Sequence, residues 1–364
     1  MPGALLYSFL SVAAEKPRLP VTTMKVTIKD IARAANISHQ AVSMVLRGEN
    51  RISQATREKV LKVASELGYV PNLAAQELRS GASNWIGLIV NDIANPFYST
   101  VARIANEAAT RRGYQLIITD TQWNPQTERH AMQQLVSLRA RGVLLCSAEQ
   151  EPQPPASGVP NTSLAVVAVD TCPPAYTGPF VGNNTVMAGE LIAQHFIELG
   201  CRNPMIFGPK APHERFSSFA AMRRGFLNTL RRHKLSATGK RVIPAGLGIA
   251  EGQAAYEVHR EALADVDAIW CMNDMCAIGV MAAASAAGRK VGRDLAIAGV
   301  DDLPVSAVPQ ISLTSIRQPH EEISMAAVET LLDLIEKRTP PHGLRRTFDP
   351  VLTPRNTTRR FAAT

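Results

Sequence analysis

Residues 27–47 read TIKDIARAANISHQAVSMVLR, two short helices joined by a tight turn, and this stretch decides the architecture of the N-terminal part of the chain. Thr27 and, three residues on, Asp30 have the spacing of a capping box, in which each side chain takes the other's free backbone N–H. Ile31, Ala32 and Ala35 follow at helical spacing. Asn36 breaks the pattern, and Ser38 supplies a fresh N-cap. Val42, Val45 and Leu46 form the buried face of the second helix, which leaves His39, Gln40, Ser43 and Arg47 facing outward. A helix-turn-helix presents such side chains to base edges in the DNA major groove. Taken alone, the stretch also fits a solvated helical hairpin.

Ser53 caps a third helix with Val60, Val63, Ala64 and Leu67 inward and Gly68 as its stop. Three such helices make a compact all-α headpiece over residues 24–71. From Met24 to Ser80 nine Lys and Arg stand against five Asp and Glu, a net +4 out of the chain's +8. That excess suits phosphate contacts, although charge alone is equally met by a merely soluble surface.

Downstream comes GYVPNLAAQELRSG, residues 68–81. A three-helix headpiece followed by Tyr69, Pro71, Asn72, Ala75, Leu78 and a Gly/Ser linker resembles the lactose-repressor (LacI/GalR) family of bacterial transcription regulators, and the resemblance runs from Thr27 almost to the C-terminus. It implies a hinge helix within residues 72–82 that orders on operator DNA, with Leu78 as a wedge in the minor groove. The segment is too short for a stable isolated helix. The same resemblance implies a palindromic operator bound by a homodimer, with His39 and Gln40 on bases. Ser38, Ser43, Arg51, Ser53 and Thr56 would hold phosphates. Thr27, Lys29, Met44, Arg47, Tyr69, Asn72 and Ala75 complete the expected DNA-contacting set.

The rest of the chain, residues 83–364, is long enough for two lobes. The five cysteines, Cys146, Cys172, Cys201, Cys271 and Cys276, are odd in number and scattered in apolar strings. They read as reduced, buried thiols, and no Cys or His pattern suggests a metal or cofactor. No apolar run approaches the roughly 18–20 residues that cross a bilayer. LLYSFLSVAA, residues 5–14, has the look of a signal peptide, but no Lys or Arg precedes it. Residues 1–23 are therefore read as a start-site extension or disordered arm before Met24, and a cytoplasmic protein is expected.

From Ser83 the periodicity changes. WIGLIV (85–90), YQLIITD (114–120) and GVLLCS (142–147) alternate with amphipathic stretches at Tyr98–Arg112 and Gln126–Arg141. The alternation resumes after a Pro-rich break at 151–160 with LAVVAVD (164–170), NPMIFG (203–208), AIWCMN (268–273) and LAIAGVDD (295–302). This is the βαβ signature of doubly wound parallel sheets. Two such sheets side by side resemble the bilobed fold of periplasmic binding proteins, which the family shares. The expected N-lobe covers about 83–182 plus 319–345, and the C-lobe about 183–318 plus 346–364.

Ligands in open α/β sheets sit beyond the carboxyl ends of the strands. At those ends the resemblance assigns Phe97, Asp170, Asn273 and Asp301 to a small-molecule effector, a sugar or sugar derivative. Amides and carboxylates suit paired hydroxyls. Phe97 can equally be core, and Asp274 and Asp302 read as helix caps. The family commonly has an arginine three residues before Gly225-Phe226, taken here as opening a C-lobe helix, but this chain has Met222. Arg223 is the nearest substitute, although a one-residue shift turns a helical side chain by about 100°. Ala41 and Met44 depart from the recognition-helix pattern in the same way, since Met cannot fork onto guanine as Arg does. No P-loop, G-x-S-x-G or H-E-x-x-H is present. The expectation is a ligand-controlled repressor. The alternatives are an activator or corepressor-dependent regulator of the same fold, a sugar-converting enzyme with a DNA anchor, and a solute receptor.

Overall fold

Helix α1 (Ile28–Ala35) starts where Thr27 and Asp30 close their capping box: Thr27 N and Oγ1 both donate to Asp30 Oδ2, at 2.9 and 2.7 Å. The coordinates are a computed structural model describing residues 26–46, 51–70, 83–148, 164–170, 172, 176–209, 218–235, 241–336 and 343–359. They divide the chain into two units at Ser80–Gly81. In the first unit Asn36 ends α1 in the left-handed conformation, at φ 50°. Ser38 Oγ then accepts from Ala41 N at 3.2 Å ahead of α2 (His39–Leu46). Ser53 caps α3 (Gln54–Glu66), and Gly68 follows it at φ +64°. Ile31, Val42, Val45, Val60 and Ala64 bury together, with Val26, Ile37, Ile52 and Tyr69 closing the edges.

The second unit contains two six-stranded sheets. Its strands are β1 (Trp85–Val90), β2 (Gln115–Asp120), β3 (Gly142–Leu145), β4 (Ala165–Val169), β5 (Phe180–Asn183), β6 (Pro204–Gly208), β7 (Val242–Pro244), β8 (Ala268–Cys271), β9 (Ala296–Val300), β10 (Thr314–Arg317), β11 (Arg345–Phe348) and β12 (Val351–Thr353). The first sheet has the order β11-β5-β4-β3-β1-β2, and all its neighbours are parallel. The second has the order β12-β10-β9-β8-β6-β7, and only β12 runs antiparallel. Helices α4 (Pro96–Arg111), α5 (Pro125–Ser137) and α10 (His320–Ile335) belong to the first lobe. Helices α6 (Thr185–Glu198), α7 (Ser218–Arg232), α8 (Ile249–Val258) and α9 (Asp274–Ala286) belong to the second.

The apolar strand runs follow from burial on both faces. Leu88 and Val90 pack with Val101 and Leu331 in one layer, while Ile89 turns to Met132 and Leu135 in the other. In the second lobe Ile269 and Cys271 face one layer, and Trp270 stacks on Phe226 at 5.0 Å in the other. Gly225 and Phe226 do not begin a helix, as the sequence suggested, but lie in the middle of α7. They are needed there because α6 and α7 cross backbone to backbone. A Cβ on Gly225 would stand 2.1 Å from Val186 O, and one on Gly189 would stand 1.9 Å from Met222 O.

The chain passes between the lobes three times, after β5, after β10 and between β11 and β12. The last passage is at Asp349–Pro350, beyond the boundary drawn at 345 from the sequence. RRTF (345–348) pairs with β5 as an edge strand whose side chains are mostly exposed, so it carries no apolar run to announce it. Among the described residues no helix is long and apolar enough to cross a membrane, and no group of residues could hold a metal ion.

Candidate functional site

In the headpiece, His39 and Gln40 are the first residues of α2, and both are exposed. Ser38, Lys29, Arg51 and Ser53 are exposed as well, while Ser43, Met44 and Thr56 are half-buried. Thr27, Ser38 and Ser53 cap the three helices, and Ser53 Oγ lies 2.9 Å from Thr56 Oγ1. Their hydroxyls are therefore held in place by local backbone, at helix ends whose free N–H groups favour anions. Tyr69 packs its ring on the headpiece core and donates its backbone N–H to Ala64 O at 2.8 Å. Arg47, Asn72, Ala75, Leu78 and the leader at 1–23 lie outside the described residues.

In the second unit a crevice of about 560 Å³, counting its open mouth, lies where the two lobes face each other. It brings together Phe97, Asp170, Asn273 and Asp301. Phe97 is both wall and core: it is buried, held edge-on against Tyr98 at 4.8 Å and His320 at 4.7 Å. Asn95 caps α4 by accepting from Phe97 N, and Pro96 at the first helical position sets the turn that aims the ring inward. Asn273 caps α9 through Cys276 N at 2.9 Å and donates to Leu247 O at 2.8 Å, which fixes its amide at the wall.

Asp170 and Asp301 both sit at strand ends with left-handed backbones, φ 60° and 108°. That conformation is costly for a residue other than glycine and points these carboxyls at the crevice rather than along the strand. Burial, reinforced by the charges of Asp274 and Asp170, holds the Asp301 carboxyl well above the usual range, and burial lifts Asp170 to about 6. Burial also keeps His320 below its usual value, with its Nε2 3.2 Å from Asp301 O.

Arg223 does not line the crevice; Met222 does, buried on the inward face of α7. The next residue is turned about 100° around the helix, so Arg223 cannot take the role the sequence offered it. Asp274 and Asp302 are not caps either. Asp274 accepts from Leu303 N, Ser306 Oγ and Ser315 Oγ at 2.8, 2.6 and 2.5 Å, and burial pushes it up to about 7. Asp302 pairs with Arg317 at 2.7 Å and Arg355 at 2.6 Å. Both carboxylates tie the second sheet together.

Sequence reasoning missed four important lining residues. Trp123, from the first lobe, faces Phe219 of α7 in the second, with ring centroids 5.6 Å apart. Gln122 and Trp123, two and three residues beyond β2, both have left-handed backbones. Gln318 donates to Asp301 Oδ1 at 2.6 Å, and Asn183 donates to Gln318 Oε1 and to Asp170 Oδ1. Asn183 and Gln318 lie at passages between the lobes, where no apolar pattern marks them.

The comparisons agree with this architecture. The pattern of bacterial regulatory proteins, lacI family, matches residues 27–72, and that of the periplasmic binding protein-like domain matches residues 193–358. The HTH-type transcriptional regulator MalR of Streptomyces coelicolor is 30% identical over 351 residues, 92% of this chain and 97% of that protein. The ribose operon repressor of Escherichia coli is 29% identical over 325 residues, 86% and 94% of the two chains. A crystal structure of the lac repressor dimer bound to operator and the anti-inducer ONPF superposes with a TM-score of 0.79 at 23% identity, covering 92% of this chain and 99% of that one. With a helix-turn-helix unit at its head, a two-lobed α/β unit behind it and a relative alike over nearly its whole length, the chain belongs to the lacI family of bacterial regulatory proteins.

Proposed function

We propose that this transcription regulator, a DNA-binding repressor under the control of a small effector, reads a palindromic operator as a homodimer through His39 and Gln40 and binds a sugar or sugar derivative between its lobes. Support for the first part is the exposure of His39 and Gln40 in the opening turn of α2, ahead of the buried Val42 and Val45. The single observation that carries the second is the gathering of Phe97, Asp170, Asn273 and Asp301, which follow four separate strands, around one crevice. Each contributes an aromatic face, an amide or a carboxyl, the groups that hold the faces and hydroxyls of a small polyol.

A ligand in that position acts on DNA binding only through unequal affinity for different lobe arrangements. A thermal-shift screen of sugars, sugar phosphates and purines against the full chain, followed by operator titration with each hit, tests the reading. A hit that stabilises wild type but not Phe97→Ala, and that changes operator affinity, is the expected result. Hits insensitive to Phe97 would move the site elsewhere.

A further inference from the structure

The described lining of the crevice holds two carboxyls. Asp170 and Asp301 face it, and their hydrogen bonds come from the neutral amides of Asn183, Gln318 and Asn95. Both carboxyls accept in these bonds, and Asn183 and Gln318 turn their NH₂ groups toward the acids. This leaves Asn183 Oδ1 buried, with no hydrogen-bond partner, on a residue only 5% exposed. Two carboxyls therefore border the crevice, beside a lining residue, Asn183, that carries an unsatisfied carbonyl oxygen. No Lys, Arg or His is among the described lining residues, and Met222 occupies the inward position of α7. Phe97, Tyr98, Trp123 and Phe219 supply the surrounding ring surface.

We propose that the effector is an aminated sugar, a polyhydroxylated ring bearing a protonated nitrogen, whose ammonium sits at Asp170 and Asp301, beside Asn183 and against the aromatic wall; this rests on the cleft being the effector site. An ammonium brings three donors, no acceptor and a positive charge, which suits two buried carboxyls whose present partners are neutral amides. A neutral hydroxyl brings one donor and no charge to set against the carboxyls. Hydrogen bonds from a charged donor to a carboxylate are shorter and stronger than neutral ones, and ring faces attract a desolvated cation. An ammonium favours the ionised form of both buried carboxyls, whereas a phosphate or carboxylate on the ligand would oppose their ionisation and be repelled by any charge they carry.

The test is calorimetry and thermal shift on the full chain with three matched sets. D-glucosamine, D-galactosamine and D-mannosamine form the amine set. Their N-acetyl derivatives and parent hexoses form the neutral set, and the hexose 6-phosphates the anionic set. At least one amine is expected to bind about tenfold more tightly than its own neutral counterparts, with no response to the phosphates. Asp301→Asn should reduce that preference to about twofold or less. Met222→Arg, which returns a cation to the wall, should abolish amine binding while circular dichroism still shows the fold.

A neutral or anionic member that binds as tightly as the amines overturns the proposal, and so does a failure of every amine to bind. In those cases the cleft reading is decided separately. It stands if the bound sugar is lost in Phe97→Ala. It falls if that variant binds every responsive ligand as wild type does.

Discussion

Gln318 Nε2 donates to Asp301 Oδ1 at 2.6 Å, while its own Oε1 receives Asn183 Nδ2. Asp301 ends β9 in the second lobe, Asn183 ends β5 in the first, and Gln318 lies where the chain passes back between them. Asn183 reaches on to Asp170, so a line of side-chain hydrogen bonds runs from the first lobe to the second along the side of the crevice where the chain crosses. Beside it, Asn184 donates its side-chain amide to Asp349 Oδ1 at 2.9 Å and its backbone N–H to Phe348 O. Asn183 and Gln318 thus belong both to the crevice lining and to the interlobe passages.

Asp301→Ala should therefore uncouple the ligand from DNA. Operator affinity without ligand is expected to stay within about threefold of wild type, roughly 0.7 kcal/mol, while the change on adding effector disappears. A fluorescence titration of labelled operator with and without effector checks this. A mutant that responds like wild type would remove Asp301 from the site.

Replacing Gln40 by Ala should cost about 1–3 kcal/mol on the preferred operator and relax the preference at one base position in each half-site. Selection from a random DNA library, run on both proteins, measures the effect. An unchanged preferred sequence would take Gln40 out of base readout.

Asp170 gives a pH signature. Its folded value of about 6 lies above its ordinary 3.8, so the folded chain holds a proton that the unfolded chain has released. Its contribution to stability is therefore undiminished below about pH 4, is lost as pH rises through about 6, and stays lost above that. Because the side chain is only partly enclosed, the loss should be roughly 1–2 kcal/mol rather than the full two units' worth. Asp170→Asn keeps an acceptor for Asn183 and removes the titration. Urea denaturation from pH 4 to pH 7 should show the variant gaining on wild type by that amount, and a flat difference would contradict the assignment.

Gly225→Ala should destabilise the second unit by about 1–3 kcal/mol, because the added methyl meets the Val186 carbonyl at 2.1 Å and both partners are helix backbone. The gain in helix propensity, about 1 kcal/mol, offsets only part of this. A urea midpoint equal to wild type would show that α6 and α7 can separate freely.

The strands legible in the sequence were those buried by both helix layers, such as WIGLIV and AIAGV, because their pattern is an unbroken apolar run. TSIR (β10) is buried over its first three residues, but its hydroxyls are satisfied by distant partners: Thr314 by Thr358 and the Arg355 backbone, Ser315 by Asp274. No local pattern announces such a pairing. The headpiece was legible nearly residue by residue, since caps and turns are local chemistry. In the crevice, Asp170, Asn273 and Asp301 stood out as polar residues closing apolar strands. Gln318 and Asn183 did not, because their role depends on which passages lie side by side. Arg223 was misplaced because one step along a helix changes the face.

Three passages laid next to one another also govern mechanics. A single tether would let the lobes swivel about any axis, and widely spaced tethers would lock them. Adjacent tethers, cross-linked by Asn183–Gln318 and Asn184–Asp349, leave one inexpensive degree of freedom, an opening angle about the line they define. The bulk of whatever occupies the crevice is thereby converted into an angle, and two ligands of equal affinity but different girth would set the lobes at different openings.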